Sequence, residues 1–335
     1  MERKIIDRKS QGEFVSTFLR QIKFRRSDFR TINPLGGFTS LIDLGNFAVS
    51  LNNDGVGTKT IIAAETNRYN TIGIDCVAMN VNDAITVGAE PIAMLDYISL
   101  KEMDNDIARQ LGIGFNVGAQ IANVNIVGGE TAIVPDLVKN IDISATSLGL
   151  IHKDQIITGE KISDGDLIFA MKSSGLHSNG YTTVRQIIKN NNINYDEKFP
   201  GDNKTVADVL LEPTRIYVRE VLDAMSLVPI KGMANITGGG IKNVPRMKDM
   251  KYVINNAFDP DNVFLRLMDL GNLSFSEMFE IFNMGMGYIV IIDPESKTDF
   301  LNTVRNRVPV KEIGHVENGS GIVIPEYSVE MHGYY

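Results

Sequence analysis

The chain has 335 residues, 43% apolar and 22% charged, a length beyond what one hydrophobic core ordinarily fills, so two domains are expected. Its 33 basic and 41 acidic residues leave a formal charge of −8, which excludes the basic field that sequence-independent nucleic-acid binding requires. The single cysteine, Cys76, excludes an internal disulfide and a cysteine-rich zinc site, fits a reducing cytoplasm, and reads as a small buried core group.

The opening Met1-Glu2-Arg3-Lys4-Ile5-Ile6-Asp7-Arg8 is too charged for a signal peptide, and no uncharged apolar stretch of about 18 residues follows it. A soluble cytoplasmic chain without a membrane partner is expected. Gln11 to Phe29 predicts a helix whose apolar face carries Phe14, Val15, Phe18 and Ile22, and Asn33 to Phe38 signals a loop. Phe47 to Leu51 predicts a strand running into the turn-rich Asn52-Asn53-Asp54-Gly55-Val56-Gly57, with a helix from Thr60 to Glu65. A long helix through Val77 to Val87 stops at Gly88, and Pro91 to Tyr97 is the next strand. Ala108 to Ala122 predicts a helix, Asn125-Ile126-Val127 a strand, and Ile141 to Leu150 another.

The turn Ser163-Asp164-Gly165-Asp166 precedes the strand Leu167 to Met171, and the domain boundary is placed there, dividing residues 1–165 from 166–335. A helix through Tyr181 to Lys189 follows, then a poorly periodic surface loop from Asn190 to Lys204, and later the strand Tyr288 to Ile292. Helices and strands alternate through both halves, which predicts an α/β or α+β architecture.

Chemistry-bearing residues concentrate in glycine-rich loops. Asp54-Gly55-Val56-Gly57-Thr58-Lys59 lacks the Gly-x-x-x-x-Gly-Lys-[Ser/Thr] spacing of a phosphate-binding loop. Its glycines permit close backbone approach to an anion, Asp54 offers a hard oxygen ligand and Lys59 a cation, unless the segment is simply a tight strand-to-helix turn. Asp75 and Asp83, eight residues apart on one predicted helix, read as sharing a face suited to a cation or a phosphate. Gly128-Gly129-Glu130-Thr131 is read as following a strand, where ligands collect in α/β folds. Gly175-Leu176-His177-Ser178-Asn179-Gly180 leads into a helix whose N-terminus would suit a phosphate. Ile236-Thr237-Gly238-Gly239-Gly240 and Asn283-Met284-Gly285-Met286-Gly287 mark backbone that must approach something closely, whether a ligand or a packing partner. Together the loops predict one cleft between the two halves.

The order of these motifs resembles that of the phosphoribosylformylglycinamidine cyclo-ligase (aminoimidazole ribonucleotide synthetase) family. The resemblance runs from Asp54 to Lys59 through Gly73-Ile74-Asp75, Asn80-Val81-Asn82-Asp83, Gly88-Ala89-Glu90-Pro91 and Gly128 to Ala132. It continues through Ser173 to Tyr181, Pro213 to Val218, Ile236 to Gly240 and Phe282 to Gly287. The resemblance implies an N-terminal ATP-binding domain that contributes to a dimeric β-barrel, a C-terminal α/β domain, and a homodimer. It further implies ATP and magnesium, with formylglycinamidine ribonucleotide as substrate. ATP would phosphorylate the formyl oxygen, and an amidine nitrogen would then close the imidazole ring.

Carried across by position, Asp54, Asp75 and Asp83 would hold magnesium, and Lys59, Glu130 and His177 would be catalytic. The nucleotide would meet Asp54, Gly55, Gly57, Thr58, Asn82, Gly128, Gly129, Thr131, Gly238 and Gly239. Ser174, Gly175, Ser178 and Asn179 would bind the substrate phosphate. Three departures stand out: Met1 to Gly12 lacks the family's Tyr-x-x-Ala-Gly-Val-Asp opening, Ile133 and Asp136 replace an acid and a glycine, and Asn235 replaces a histidine. Alternatives are another ATP-dependent member of the same superfamily, such as a thiamine-monophosphate kinase, and a non-catalytic nucleotide-binding paralogue.

Overall fold

Alternating apolar and polar residues build two separate sheets in the computed structural model, which describes residues 8–32 and 38–332. The helices of the first half are α1 (Arg8–Gln21), α2 (Lys59–Thr66), α3 (Ile72–Ala84) and α4 (Asn105–Ala122). Its strands are β1 (Ser40–Leu44), β2 (Phe47–Gly55), β3 (Glu90–Leu100), β4 (Asn125–Ile133) and β5 (Ile141–His152), in the order β1-β2-β5-β3-β4. Only β4, parallel to β3, departs from antiparallel pairing, and the sheet stays open with β1 and β4 as its edges. Along β5, Ile143, Ala145 and Ser147 are buried on the side covered by α3. The opposite face carries Leu95 and Tyr97, 48% and 43% exposed, so an antiparallel face that would ordinarily be polar is apolar here.

The second half contains α5 (Tyr181–Asn190), α6 (Val206–Leu210), α7 (Val218–Leu227), α8 (Asn262–Gly271), α9 (Phe275–Ile281) and α10 (Lys297–Val304). They accompany β6 (Leu167–Lys172), β7 (Ile230–Asn235), β8 (Lys251–Ile254), β9 (Met286–Ile292), β10 (Val310–Glu317), β11 (Gly321–Ile324) and β12 (Val329–Met331). The seven strands run in the order β12-β11-β8-β10-β6-β9-β7. All seven residues of β9 are buried between β6 and β7, as the unbroken apolar run Tyr288 to Ile292 requires. The chain is thus mixed α/β.

Several elements differ from expectation. The first helix ends at Gln21 instead of reaching Phe29, and its apolar face stays exposed among the described residues: Phe14 is 74% exposed and Phe18 58%. The segment 33–37 predicted as a loop lies outside the described residues. β2 continues through Asn52 to Gly55, because pairing with β5 overrides the turn propensity of asparagine and glycine there. Gly128 to Thr131 likewise lie inside β4, paired to Leu95 through Ile98, instead of following it.

Helices α3 and α4 cross with no side chain between their backbones. A Cβ on Gly73 would fall 2.4 Å from the Phe115 nitrogen, and one on Gly114 would fall 2.5 Å from the Asn70 oxygen. Gly114→Leu should therefore destabilise the fold by about 3 kcal/mol or more, as overpacking against rigid backbone does. Urea denaturation that shows no loss would refute the close crossing.

Candidate active site

The centre of the site is the C-terminal end of β2, held by an asparagine on the facing helix. Asn80, fully buried on α3, accepts from the Asp54 backbone nitrogen at 3.0 Å and donates to the Asp54 oxygen at 3.1 Å. Its own backbone oxygen accepts from Asn52 Nδ2, and Ser147 Oγ donates to Asn52 Oδ1 at 2.7 Å. This polar seam pins β2 to α3 and fixes where the Asp54 side chain starts. Asp54 Oδ1 accepts from the Gly55 nitrogen at 2.8 Å. Burial nevertheless pushes the Asp54 carboxyl up to about 6.

Asp83 lies one turn beyond Asn80, near the end of α3, and accepts from Asn235 Nδ2 at the end of β7 at 2.8 Å. Burial, together with repulsion from Asp54, pushes its carboxyl up to about 7, with the Asn235 amide and Arg246 pulling the other way. Asn235 thus occupies the position of the missing histidine as a neutral donor, and its Oδ1 is buried without a partner. Asp54 and Asp83 come from different elements and repel one another, and a divalent cation would turn that repulsion into attraction. Among the described residues no group of three or more histidine, cysteine or carboxylate side chains forms a ready-made metal cage. These two hard oxygen ligands suit magnesium, which completes its shell with water and phosphate oxygens.

Asp75, the third aspartate expected at the metal, is paired elsewhere. Eight residues along an α-helix make about 2.2 turns, so the two side chains point roughly 80° apart. Asp75 turns towards α2, where Lys59 Nζ sits 2.8 Å from its Oδ2 and 3.0 Å from its Oδ1, both side chains fully buried. Thr214 donates to the same Oδ1 from its nitrogen at 2.8 Å and its hydroxyl at 2.6 Å. Lys59 Nζ also donates to the backbone oxygens of Glu212 at 2.7 Å and His177 at 3.2 Å. Burial pulls the Lys59 pKa down while Asp75 opposes that pull. Lys59, expected to contact phosphate, is instead consumed by internal partners in both halves of the chain. Asn82, expected at the nucleotide, likewise has internal partners: it accepts from the Tyr217 nitrogen at 3.0 Å and donates to the Arg215 oxygen at 2.8 Å.

The loop after β6 packs directly on this pair. His177 is 1% exposed with φ +61, and its Nε2 accepts from the Ser174 nitrogen at 3.3 Å. Burial, then the nearby Lys59 and Arg215, drive the imidazole down to about 3, so it is neutral and cannot exchange a proton near neutral pH. The hydrogen bond from the Ser174 nitrogen makes the neutral imidazole part of the loop's own frame. Ser174 Oγ donates to the Pro213 oxygen at 2.6 Å, the Gly175 oxygen accepts from Asn283, and Ser178 and Thr214 hydroxyls lie 3.1 Å apart. Asn179 faces Gly238, where a Cβ would come within 3.3 Å of its Oδ1, and its Nδ2 is buried without a partner. Gly239 and Gly240 adopt φ +108 and +55, and a Cβ on Gly240 would collide with the Phe279 oxygen, so that glycine serves packing. Gly57 takes φ +69, whereas Gly55 is ordinary strand, and Thr58 Oγ1 meets Thr182 Oγ1 at 3.2 Å.

Sheet register places the remaining candidates. Asp54, Ala145, Asp96 and Gly129 form one rung across β2, β5, β3 and β4, while Glu130 and Thr131 pair with Tyr97 and Ile98. Glu130 therefore shares Tyr97's face, opposite Asp96, and within the chain it does not reach the acid pair. The sequence reading missed Asn80 and Asp96. A fully polar residue inside an apolar helix stretch was the available signal for the first.

Two models of AIR synthase related proteins match this chain, the N-terminal domain over residues 39–151 and the C-terminal domain over 163–325. It is similar to the phosphoribosylformylglycinamidine cyclo-ligase of Thermoplasma volcanium, 65% identical over 331 residues that cover 99% of this chain and 98% of that one. The enzyme of the same name from Thermoplasma acidophilum is 62% identical over 335 residues, covering 100% and 99%. The crystal structure of a hydrogenase maturation protein, HypE, in complex with ATP shares the fold with TM-score 0.62 and 21% identity, over 94% of this chain and 91% of that one.

Lys59→Met leaves Asp75 buried and unpaired and should lower stability by about 3–5 kcal/mol in urea denaturation. Adding Asp75→Asn should restore at least half of that loss, and no restoration would show that the charges do not act as a pair. Asp83 holds its proton more tightly folded than unfolded, so between the ordinary carboxylate range and about pH 7 its contribution to stability falls as pH rises. Without magnesium, Asp83→Asn should accordingly raise Tm over wild type at pH 8 and lose that advantage at pH 4.5; scanning calorimetry at both values checks it.

Proposed function

This chain belongs to the AIR synthase related family, and on that premise we propose that it is a phosphoribosylformylglycinamidine cyclo-ligase of purine biosynthesis. It converts formylglycinamidine ribonucleotide to 5-aminoimidazole ribonucleotide with ATP going to ADP and phosphate. The observation that carries this reading is identity above 60% along the whole chain with two enzymes of that name.

The chemistry has two demands. The formyl oxygen is a poor leaving group, so it first attacks the γ-phosphorus, with ADP departing. The amidine nitrogen then adds to the activated carbon, phosphate leaves with that oxygen, and the ring nitrogen loses its proton. Because a transferring phosphoryl group needs little covalent help, the enzyme's task is positioning and charge stabilisation. Asp54 and Asp83 would hold magnesium, which when bound neutralises the phosphate charge. Asn80 and Asn235 keep those carboxylates in place. Ser174, Gly175, Ser178 and Asn179, opposite Gly238 and Gly239, are the groups we assign to the substrate phosphate. The unpartnered Asn179 Nδ2 supports that assignment as a donor awaiting an acceptor.

The nucleoside half of ATP is assigned to a cavity of about 960 Å³ between α4 and the β3–β4 edge, lined in part by Asp96 and Thr131. The boundary between the two domains is placed at residues 165 and 166, between the two sheets. We assign the apolar open face around Leu95 and Tyr97 to a second copy of the chain, closing the sheets into a dimeric barrel with Glu130 on the interface side. No described helix is long and apolar enough to cross a membrane, and the proposed setting is the cytoplasm.

With magnesium, ATP and formylglycinamidine ribonucleotide, the purified protein should yield aminoimidazole ribonucleotide and one ADP per ring. Asp83→Asn should lower turnover by about a hundredfold or more, as loss of a group stabilising phosphoryl transfer does. ATP consumption on another small molecule without ring closure would overturn the reading.

A further inference from the structure

The cavity assigned to the nucleoside has a wall of Ile98, Leu111, Phe115, Ala119, Val124 and Ile126. Its volume and apolar lining suit a planar base, and such sites owe their selectivity to a few polar groups. One of these is Asp96 of β3, which lines the cavity and lies on the helix-facing side of the sheet. Among the described residues no salt bridge holds it, in contrast to the carboxylate of Asp75.

Gly129 leaves the space that this carboxylate fills. A Cβ at position 129 would lie 2.3 Å from Asp96 Oδ1 and 2.6 Å from Oδ2, so any larger residue there would force the carboxylate out of its present place. Ala145, the rung partner of both Asp54 and Asp96, is buried on the side that α3 covers, so the two carboxylates lie on that side of the sheet. They belong to one rung and are separated by β5, two strand spacings or about 10 Å.

A carboxylate beside a bound triphosphate repels the phosphates and can face only uncharged donors. With the phosphates near Asp54 and Asp83 and the base against the apolar wall, the ribose falls between them, beside Asp96. A pair of ribose hydroxyls offers two donors to two carboxylate oxygens, the same arrangement that acidic residues make in dinucleotide sites. We propose that Asp96 recognises the ribose of ATP, accepting hydrogen bonds from its hydroxyls, and so determines nucleotide specificity; this rests on the ATP-dependent reading above. Burial raises the Asp96 pKa, and the hydrogen bond from its own backbone nitrogen opposes that only in part.

The test is ring closure with ATP, 2′-deoxy-ATP, 3′-deoxy-ATP and inosine triphosphate, using wild type and Asp96→Asn. Wild type should favour ATP over each deoxy analogue by roughly tenfold or more in kcat/KM, the value of one hydrogen bond to a charged group. Asp96→Asn should raise KM for ATP by a similar factor, leave KM for formylglycinamidine ribonucleotide unchanged, and erase the preference over the deoxy analogues. Equal use of ATP and both deoxy analogues by wild type would overturn the proposal without any variant. A loss of discrimination against inosine triphosphate alone would also overturn it, by placing the carboxylate at the base. If wild type closes no ring, the cyclo-ligase reading fails first, and calorimetric binding of ADP against 2′-deoxy-ADP still decides the role of Asp96.

Discussion

The buried pair of Lys59 and Asp75 is the contact on which the relation between the two halves depends. Lys59 belongs to α2 and Asp75 to α3, yet the groups that complete their hydrogen bonds, Thr214 and the backbone oxygens of His177 and Glu212, all come from beyond residue 166. Two charges out of water are tolerated only with close pairing and added hydrogen bonds, so the pair favours one placement of the second-half loops against the first-half helices. The neutral His177 and the Ser174 to Asn179 loop are set by that placement. Asn82 adds a second tie about two turns further along the same helix.

Helix α3 therefore works along its whole length. Its first turn presents Asp75 to the second half, its middle carries Asn80 against β2, and its end offers Asp83 beside Asn235. One rigid rod thereby sets the acid pair relative to the Ser174 to Asn179 loop. The relatives named for ring closure match along the full chain, and the departures at Ile133 and Asp136 lie at the exposed end of β4 and just beyond it, away from this rod. The third departure, Asn235, keeps a hydrogen bond to Asp83.

Much of the architecture was legible because its signals are local. The alternation in Ile141 to Leu150 and the apolar run Tyr288 to Ile292 announce strands wherever they pair, and Gly88 ends its helix with φ +85. The limits of β2 and β4 were not legible, since only a neighbouring strand can hold Asn52 to Gly55 or Gly128 to Thr131 extended. The site was read by residue type, and type alone does not say who is already engaged. Lys59, Asp75 and Asn82 have the chemistry of ligand contacts, yet their partners lie more than 100 residues away or on a neighbouring helix. Asp96 gave no signal at all, being one acid within an apolar strand whose importance depends on the glycine paired to it.

The bare crossing of α3 and α4 bears on how this sequence can be searched and varied. Gly73 opens the Gly73-Ile74-Asp75 motif and would pass for part of a ligand loop, but it touches only backbone of the facing helix. Its requirement is as strict as that of any aspartate, although no substrate reaches it. A scan for tolerated substitutions would thus return a line of intolerant glycines at 73, 114 and 118 running through the protein's interior, marking a mechanical axle rather than a second binding site.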